Sequence, residues 1–293
     1  MAVTGVTQAQ AHLAALQKRR PIMIEPDPYF LGYRQAEQER LQQQAQDLAN
    51  ESSWLFEQVG LSPGARVVEM GCGPHGCLDL LSERVGPAGS VMGVERNADE
   101  VALARQMVTE RRLANVEVLE RDARSTGLPR ASFDLATARL VLVAVPNPEQ
   151  IIAEAAALVR PGGWVALHEA DYVSHVCDPA LPAWTALVDL LETYSAMNGI
   201  DPFLGRKLPR LLRDAGLVEV RVNPIIHVYP PGHSRRSILL DFAENLSERL
   251  LAAKLVGERE LSDMKAALRQ HLANPDTLVV SHLFFQAWGR KPA

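Results

Sequence analysis

The sequence predicts an α/β fold in which a parallel sheet carries helices on both faces. Three short apolar stretches rich in β-branched residues recur in the first half of the chain, and a helical pattern follows the first two. An acidic residue closes each stretch: Glu69, Glu95 and Asp122. Because parallel strands that alternate with helices end at one edge of their sheet, we expect these acids at its carboxyl edge.

The first strand runs into a glycine-rich turn. Arg66 to Met70 form the strand, and Gly71, Gly73 and Gly76 follow with the spacing G-x-G-x-x-G before an apolar-periodic helix. Glycine allows positive φ and the close approach of a ligand to the backbone. The start of the helix offers unpaired N–H groups and a partial positive charge. This turn is therefore predicted to bind a nucleotide-like ligand or an anionic group.

Glu69 lies two residues before the first glycine and narrows the choice of ligand. A carboxylate there would repel a pyrophosphate, but it suits a ligand that carries an ammonium group. The pattern E-x-G-x-G resembles the cofactor loop of class I S-adenosylmethionine (SAM) dependent methyltransferases. The resemblance implies SAM as the cofactor, S-adenosylhomocysteine as its product, and a Rossmann-like seven-stranded sheet with an antiparallel last strand. A glycine turn with a capping acid and no ligand is the alternative.

Two further acids extend the predicted cofactor site. Glu95 ends the second strand about 20 residues beyond the glycine turn, where a ribose-binding acid lies in nucleotide-binding folds. The resemblance implies that Asp122 contacts the adenine amine, and a loop cap is the alternative. The remaining cofactor-binding candidates are neighbours of these motifs, the residue after strand four, and a tyrosine of the N-terminal segment: Cys72, Arg96, Ala123, Arg139 and Tyr29.

The fifth strand supplies the candidates for catalysis. It brings His168, Glu169 and Asp171 to the carboxyl edge, where we expect the transferred methyl group. Many relatives carry a histidine where this chain has Ala144, so a base is expected from strand five or is absent. His168 is favoured because the ordinary pKa of imidazole lies near working pH. Without a base, alignment of the reactants would carry catalysis.

The elements group into a core and a cap. Gln35–Val59 and Ser234–Val256 are each expected as one helix. Seven strands are expected, at Arg66–Met70, Ser90–Glu95, Val116–Arg121, Phe133–Ala138, Trp164–Ala170, Leu217–Tyr229 and Thr277–Gly289. The predicted division is an N-terminal helical lid over 1–62, a SAM-binding core over 63–171, helical cap segments over 172–207 and 233–276, and final strands within 208–232 and 277–293.

Composition limits the class of protein. The 293 residues suffice for one large α/β domain with an accessory region. A net charge of −5 without a basic block argues against a nucleic-acid partner. The sequence shows no leader-like or bilayer-length apolar stretch, so we expect a cytoplasmic protein without a membrane partner. Three cysteines without zinc or disulfide spacing predict no metal. A homodimer is compatible with these features.

The predicted function is methyl transfer by direct displacement to a small-molecule acceptor in a capped pocket. The N-terminal segment and the cap resemble those of bacterial small-molecule methyltransferases, some from natural-product pathways. One alternative is a SAM-binding protein that transfers no methyl group, either a cyclase or a regulatory module. The other is a nicotinamide dehydrogenase, which would leave Glu69 unexplained. The acceptor and its reacting atom (O, N or C) stay open.

Overall fold

The computed structural model describes residues 35–172 and 174–293, with side chains from residue 40 onward. Its strands are β1 (Arg66–Met70), β2 (Ser90–Glu95), β3 (Val116–Glu120), β4 (Phe133–Arg139), β5 (Val159–Asp171), β6 (Val176–Asp178), β7 (Val218–Ile225), β8 (Leu278–Val280) and β9 (Leu283–Arg290).

The α-helices are α1 (Gln35–Asp47), α2 (Ala49–Gln58), α3 (Leu78–Val85), α4 (Ala98–Glu110), α5 (Pro148–Leu158), α6 (Pro182–Met197), α7 (Leu208–Asp214), α8 (Ile238–Asn245), α9 (Ser247–Ala252) and α10 (Glu258–Ala273). Short 3₁₀ turns lie at Leu142–Ala144, Gly205–Lys207 and Ser234–Ser237. In the described part of the chain, no helix is both long enough and apolar enough to cross a membrane.

Within the described residues, the main sheet has seven strands in the order β3-β2-β1-β4-β5-β9-β7. Strands β1 to β5 pair in parallel, whereas β9 is antiparallel to both of its neighbours, β5 and β7. This confirms the predicted fold class, including the antiparallel last strand. The strand order reverses between β1 and β4, and in such sheets ligands bind outside the carboxyl ends of the strands at that point.

The sheet is buried on both faces, which explains why its central strands are almost wholly apolar. Val67 and Val68 are neighbours on β1 and point to opposite faces. Val67 packs in a cluster with Leu81 of α3, whereas Val68 packs in another with Ile152 of α5. The two clusters hold the carboxyl ends of β1 and β4 in fixed positions.

A third apolar cluster forms the core of the cap. It joins α6, α8 and α10 through Trp184, Phe242 and Leu268, and Ala144 beside the main sheet also belongs to it. A small antiparallel sheet of β6 and β8 borders this cluster, and it was not predicted from the sequence. The expected helix at 234–256 is instead a 3₁₀ turn followed by α8 and α9.

The predicted strand at 277–289 is wrong in one respect, because the structure divides it into β8 and β9. Ser281 and His282 lie between the two strands and are fully buried. The amide of Ser281 donates to the carbonyl of His227 (2.8 Å), and the amide of His227 donates to Ser281 Oγ (2.9 Å). These two hydrogen bonds between Ser281 and His227 replace the pairing with β5 that a continuous strand would make.

The single helix predicted over 35–59 is interrupted at Leu48. The side chain of Leu48 is almost fully buried and packs against Ala170 and Phe284. Gln286 of β9 also donates to the carbonyl of Glu51 in α2 (2.6 Å). The break thus accompanies contacts that attach α2 to the main sheet.

Two strand boundaries also differ from expectation. The strand β5 begins at Val159 rather than at Trp164, so it includes the Pro-Gly-Gly segment at 161–163. The strand β7 ends at Ile225 and includes Pro224. Proline is tolerated there because β7 is an edge strand whose outer side has no ladder to maintain.

Gly205 offers a test of the packing between the core and the turn at 205–207. A Cβ on Gly205 would lie 2.7 Å from a ring carbon of Phe285 and 3.0 Å from the carbonyl atoms of Ala170. We expect Gly205→Ser to lower the free energy of unfolding by about 1–3 kcal/mol in urea denaturation. Gly257→Ser is the matched control, because nothing lies within 4 Å of its Cβ position and serine suits the N-cap of α10. Equal stability of the two variants would contradict the close packing.

Candidate functional site

An open cleft of about 1050 Å³ lies at the carboxyl ends of β1 to β4. Its position coincides with the reversal of strand order, and α1 covers it with Leu41 and Gln44. Most of the predicted cofactor residues line it together: Gly71, Cys72, Gly73, Glu95, Arg96, Asp122, Ala123 and Arg139. Tyr29, the remaining candidate of the N-terminal segment, lies outside the described residues.

The glycine turn has the backbone conformation that its sequence predicts. Gly71 and Gly73 have φ of +68° and +53°. The amides of Gly71 and Cys72 donate to the carbonyl of Val94 (2.8 and 3.0 Å), which fastens the turn to β2. A Cβ on Gly71 would lie 2.7 Å from Val141, whereas a Cβ on Gly73 would meet nothing within 4 Å. Gly71 is therefore required for packing, and Gly73 leaves open space in the cleft.

Glu69 lies beneath the turn and does not line the cleft. Both of its carboxylate oxygens accept from the amide of Cys77 (2.7 and 3.0 Å), at the N-cap of α3. Burial raises the pKa of Glu69 to about 7, against the opposing effects of the Arg139 charge and the Cys77 amide. The geometry gives Glu69 a structural role in the turn and no direct access to an ammonium group.

Arg139 ends β4 and joins three parts of the site. Its guanidinium donates to the carbonyls of His75 (3.3 Å) and Gly76 (3.0 Å) in the glycine turn. It also donates to Ser52 Oγ of α2 (3.0 Å). Since Arg139 also lines the cleft, it presents a positive charge to any ligand held there.

Glu95 and Asp122 face the cleft while also bonding to protein groups. The carboxylate of Glu95 accepts from the amides of Arg96 (2.7 Å), Asn97 (2.9 Å) and Gly73 (3.2 Å). A carboxylate offers about four lone-pair positions, so little capacity remains for a ligand hydroxyl unless a bond is shared.

Asp122 accepts from the guanidinium and the amide of Arg124, which also lines the cleft. Hydrogen bonding to Arg124 lowers the pKa of Asp122 below its ordinary value. Asp122 is therefore an ionised acceptor at the mouth of the cleft, and it also forms the loop cap that was the alternative interpretation.

The predicted catalytic carboxylates have other partners. Glu169 is fully buried and accepts from the amides of Val141, Leu142 and Val143 (3.1, 3.0 and 3.1 Å). Burial raises the pKa of Glu169 to about 7, although these three bonds oppose the change. Glu169 thus holds the 3₁₀ turn at 142–144 against the cleft. It does not itself line the cleft, in contrast to the expectation.

His168 and Asp171 also lie away from the cleft lining. Burial and the charge of Arg139 lower the pKa of His168 to about 3, so the expectation of an imidazole that titrates near working pH is wrong. Asp171 is fully buried and pairs with Arg206. The described residues of strand five therefore bring no base into the cleft.

Leu140 is a cleft residue that the sequence does not reveal. Its φ of +56° lies in the left-handed region, which costs an L-residue about 1–2 kcal/mol. Its amide donates to the carbonyl of His168 (2.8 Å), and its side chain packs against Ala170 and Phe284. Backbone strain of this kind concentrates at functional sites. Leu140 thus contacts both the cleft and a buried group of aromatic and histidine side chains.

A family model described as "Methyltransferase domain" matches residues 61–216, more than half of the chain. The chain belongs to the class I methyltransferase family. This confirms the family that the E-x-G-x-G pattern indicated, and the matched segment contains the glycine turn and all of β1 to β5.

Individual relatives agree with this membership. Nocamycin O-methyltransferase from Saccharothrix syringae is 30% identical over 184 residues, which cover 57% of this chain and 64% of the relative. The aligned segments span about half to two thirds of the first curated relatives' own length.

Solved structures share the fold. Phosphoethanolamine N-methyltransferase 2 from Haemonchus contortus, in complex with phosphomonomethylethanolamine and S-adenosylhomocysteine, superposes with a TM-score of 0.54 at 16% identity. The match covers 83% of this chain and 53% of that one. The [4+2]-cyclase SpnF superposes with a TM-score of 0.50 at 21% identity, covering 85% of this chain and 83% of that one.

The raised pKa of Glu69 predicts how stability depends on pH. The pKa of Glu69 is 4.5 in the unfolded chain and about 7 in the folded protein. The stabilising contribution of the protonated form is therefore complete below the lower value and is lost as pH rises through the higher one. The stability of the wild type relative to Glu69→Gln should fall by roughly 1–3 kcal/mol across that window in urea unfolding.

The exposed Glu83 of α3 supplies the matched variant, Glu83→Gln, which controls for the change in formal charge. The quantity to follow is the free energy of unfolding of wild type minus that of Glu69→Gln. If this difference stays constant with pH, or increases as pH rises, the assigned burial effect is contradicted.

Proposed function

We propose that this protein is a SAM-dependent methyltransferase that acts on a small-molecule acceptor, of the natural-product kind, by direct displacement. One observation carries the proposal: the glycine turn leaves open space at Gly73 within a cleft that Glu95, Asp122 and Arg139 also line. When bound, SAM supplies a methyl group on a sulfonium that is already an activated leaving group. The chain's own residues need only bind and align the two reactants.

The cleft residues suit the parts of this cofactor. Gly73 admits a ligand close to the backbone, and the ionised Asp122 is an acceptor for an adenine amine. Glu95 is an acceptor for ribose hydroxyls, provided that a carboxylate oxygen which already accepts from a backbone amide also accepts from the ligand. Arg139 is a cation suited to a carboxylate. We assign no direct contact with the ammonium group to Glu69.

Catalysis by alignment is the mechanism that the cleft favours. Among the described residues, Glu169 and His168 do not line the cleft, so neither is placed to take a proton there. Alignment of two reactants can supply effective molarities on the order of 10⁵–10⁸ M. The role of Glu169 is to position the turn at 142–144, which carries the cleft residue Ala144.

The proposed substrate class rests on a relative and on the cap. Nocamycin O-methyltransferase, by its name, methylates an oxygen of a small molecule. Ala144 belongs both to the cleft lining and to the apolar cap cluster, so the cap borders the cleft, an arrangement that suits a small molecule in a closed site. The alternative is a cyclase-type reaction, because the [4+2]-cyclase SpnF shares the fold. S-adenosylhomocysteine that forms only when an acceptor is added supports transfer, and turnover of an acceptor without it supports the alternative.

The cofactor assignment is tested first at Gly73. Gly73→Ala places a Cβ in the cleft, whereas Gly60→Ala places one in open space after α2. Both glycines have positive φ (+53° and +64°), so both variants should lose about 1 kcal/mol of stability. In calorimetric titration with SAM, Gly73→Ala should bind about tenfold more weakly or worse, and Gly60→Ala should match wild type. Equal SAM affinity of all three proteins would refute the assignment.

Glu95→Gln tests the acid at the end of β2. We expect SAM binding to weaken by roughly 1–3 kcal/mol through lost hydrogen bonds to the charged group. Glu120 stands opposite Glu95 in the register of β2 and β3 and does not line the cleft, so Glu120→Gln is the control. Unchanged calorimetric affinity of folded Glu95→Gln would remove Glu95 from the site.

A further inference from the structure

Four polar side chains surround a single phenyl ring behind the cofactor cleft. Phe284 is fully buried, and its ring centroid lies 4.3 Å from that of His282, 5.6 Å from His168 and 5.8 Å from His227. The guanidinium carbon of Arg235 lies 5.2 Å from the same centroid. We call these five residues the Phe284 cluster.

The polar groups of this cluster are incompletely bonded. Both ring nitrogens of His168, the Nε2 atoms of His282 and His227, and Nη1 of Arg235 have no hydrogen-bond partner among the described residues. His227 Nε2 lies 3.4 Å from Glu51 Oε1 without forming a hydrogen bond. Native interiors contain few such groups, and each one calls for a water or a ligand. Five unpaired nitrogens around one ring therefore indicate a binding site.

The contrast between Arg235 and Arg236 is the strongest sign of a ligand. Both arginines are buried, at 6% exposure each. The guanidinium of Arg235 makes one hydrogen bond among the described residues, from Nε to the hydroxyl of Tyr229 (3.2 Å), and no ion pair joins it to a carboxylate there. A buried cation without a countercharge is costly. By contrast, Arg236 donates to the carbonyls of Tyr229, Leu272, Asn274 and Thr277.

The cluster adjoins both the cofactor cleft and a neighbouring groove. Leu140 lines the cleft and packs against Phe284. An open groove of about 810 Å³ between α1 and α8 is lined by Arg235 and shares Gln44 with the cleft. Its lining also contains Asp47, Asp241 and Glu244, which bond to Ser234, Ser237 and Arg269 respectively. Among the described residues, none of these carboxylates forms an ion pair with Arg235.

We propose that the Phe284 cluster is the acceptor subsite, and that it takes a small molecule whose ionised oxygen, a carboxylate or an acidic enol or phenol, pairs with Arg235. The proposal rests on the proposed function, which makes the neighbouring cleft the cofactor site. His168 and His282 border the same phenyl ring. Burial lowers the pKa of both histidines, to about 3 for His168, so they remain neutral. Arg235 is thus the group of the cluster whose charge selects an anion.

The first experiment measures stability and needs no ligand. Arg235→Met removes a buried cation but keeps an apolar side chain, so its urea midpoint should equal or exceed that of wild type. Arg236→Met removes four hydrogen bonds to carbonyls, so its midpoint should fall. A loss of stability in Arg235→Met as large as that in Arg236→Met would show that Arg235 is a structural residue and would overturn the proposal.

The second experiment measures binding with defined probes. Wild type, Arg235→Met and the exposed-site control Arg259→Gln are titrated by calorimetry with and without S-adenosylhomocysteine, so that no transfer occurs. The carboxylate arm compares 2-naphthoate with neutral 2-naphthamide, and the phenolate arm compares ionised 4-nitrophenol with 4-nitroanisole. For wild type and Arg259→Gln, at least one anion should bind about tenfold or more tightly than its neutral analogue. The same anion should bind Arg235→Met about tenfold or more weakly than it binds wild type.

The arm that responds identifies the class of acidic oxygen. If neither anion shows a preference that depends on Arg235, the subsite proposal fails, whatever the result with S-adenosylhomocysteine. If S-adenosylhomocysteine does not bind, the proposed function fails, even where an anion still binds through Arg235. The two failures are therefore distinguishable.

Discussion

Two ionisable side chains hold the glycine turn from opposite sides, and the cleft depends on both. Glu69 receives the amide of Cys77 beneath the turn, and Arg139 donates to the carbonyls of His75 and Gly76 at its rim. Because Arg139 also reaches Ser52, the same guanidinium fixes α2 relative to the turn. The turn is therefore positioned by β1, β4 and α2 together. A shift in any of them would change the space that Gly73 leaves open.

Buried charge is treated in three ways in this protein, and the differences separate structural from functional groups. Glu169 is surrounded by three amide donors and organises a turn. Arg236 is surrounded by carbonyl oxygens and fastens the end of α10 to the 3₁₀ turn at 234–237. Arg235 is equally buried but keeps part of its guanidinium unbonded among the described residues. Buried groups whose hydrogen bonds are complete, such as Glu169 and Arg236, stabilise the fold. The guanidinium of Arg235 needs a further hydrogen-bond acceptor, which a bound ligand would supply.

The sequence predicted features that depend on a few neighbouring residues. Gly71 and Gly73 mark their turn because few other residues accept positive φ, and Glu95 follows at a spacing that the helix between the strands determines. Leu48, where the predicted helix is interrupted, and the strained Leu140 instead pack in one cluster with Phe284, which lies far away in the chain. The lowered pKa of His168 likewise depends on burial, which cannot be read from a single residue type. Long-range packing thus accounts for the features that were missed.

The position of β9 has a consequence for how the chain assembles. This strand lies between β5 and β7, so one edge of each of these strands stays unpaired until β9 is in place. The β7–β9 pair with the smallest separation in sequence joins Ile225 to Phe284, 59 positions later. Pairings of such long separation form slowly, and unpaired edges promote association between molecules. The cofactor cleft draws on residues 41–151, whereas Phe284 and His282 arrive with β9 or just before it. During synthesis, the cofactor cleft can therefore form while the Phe284 cluster still lacks Phe284 and His282.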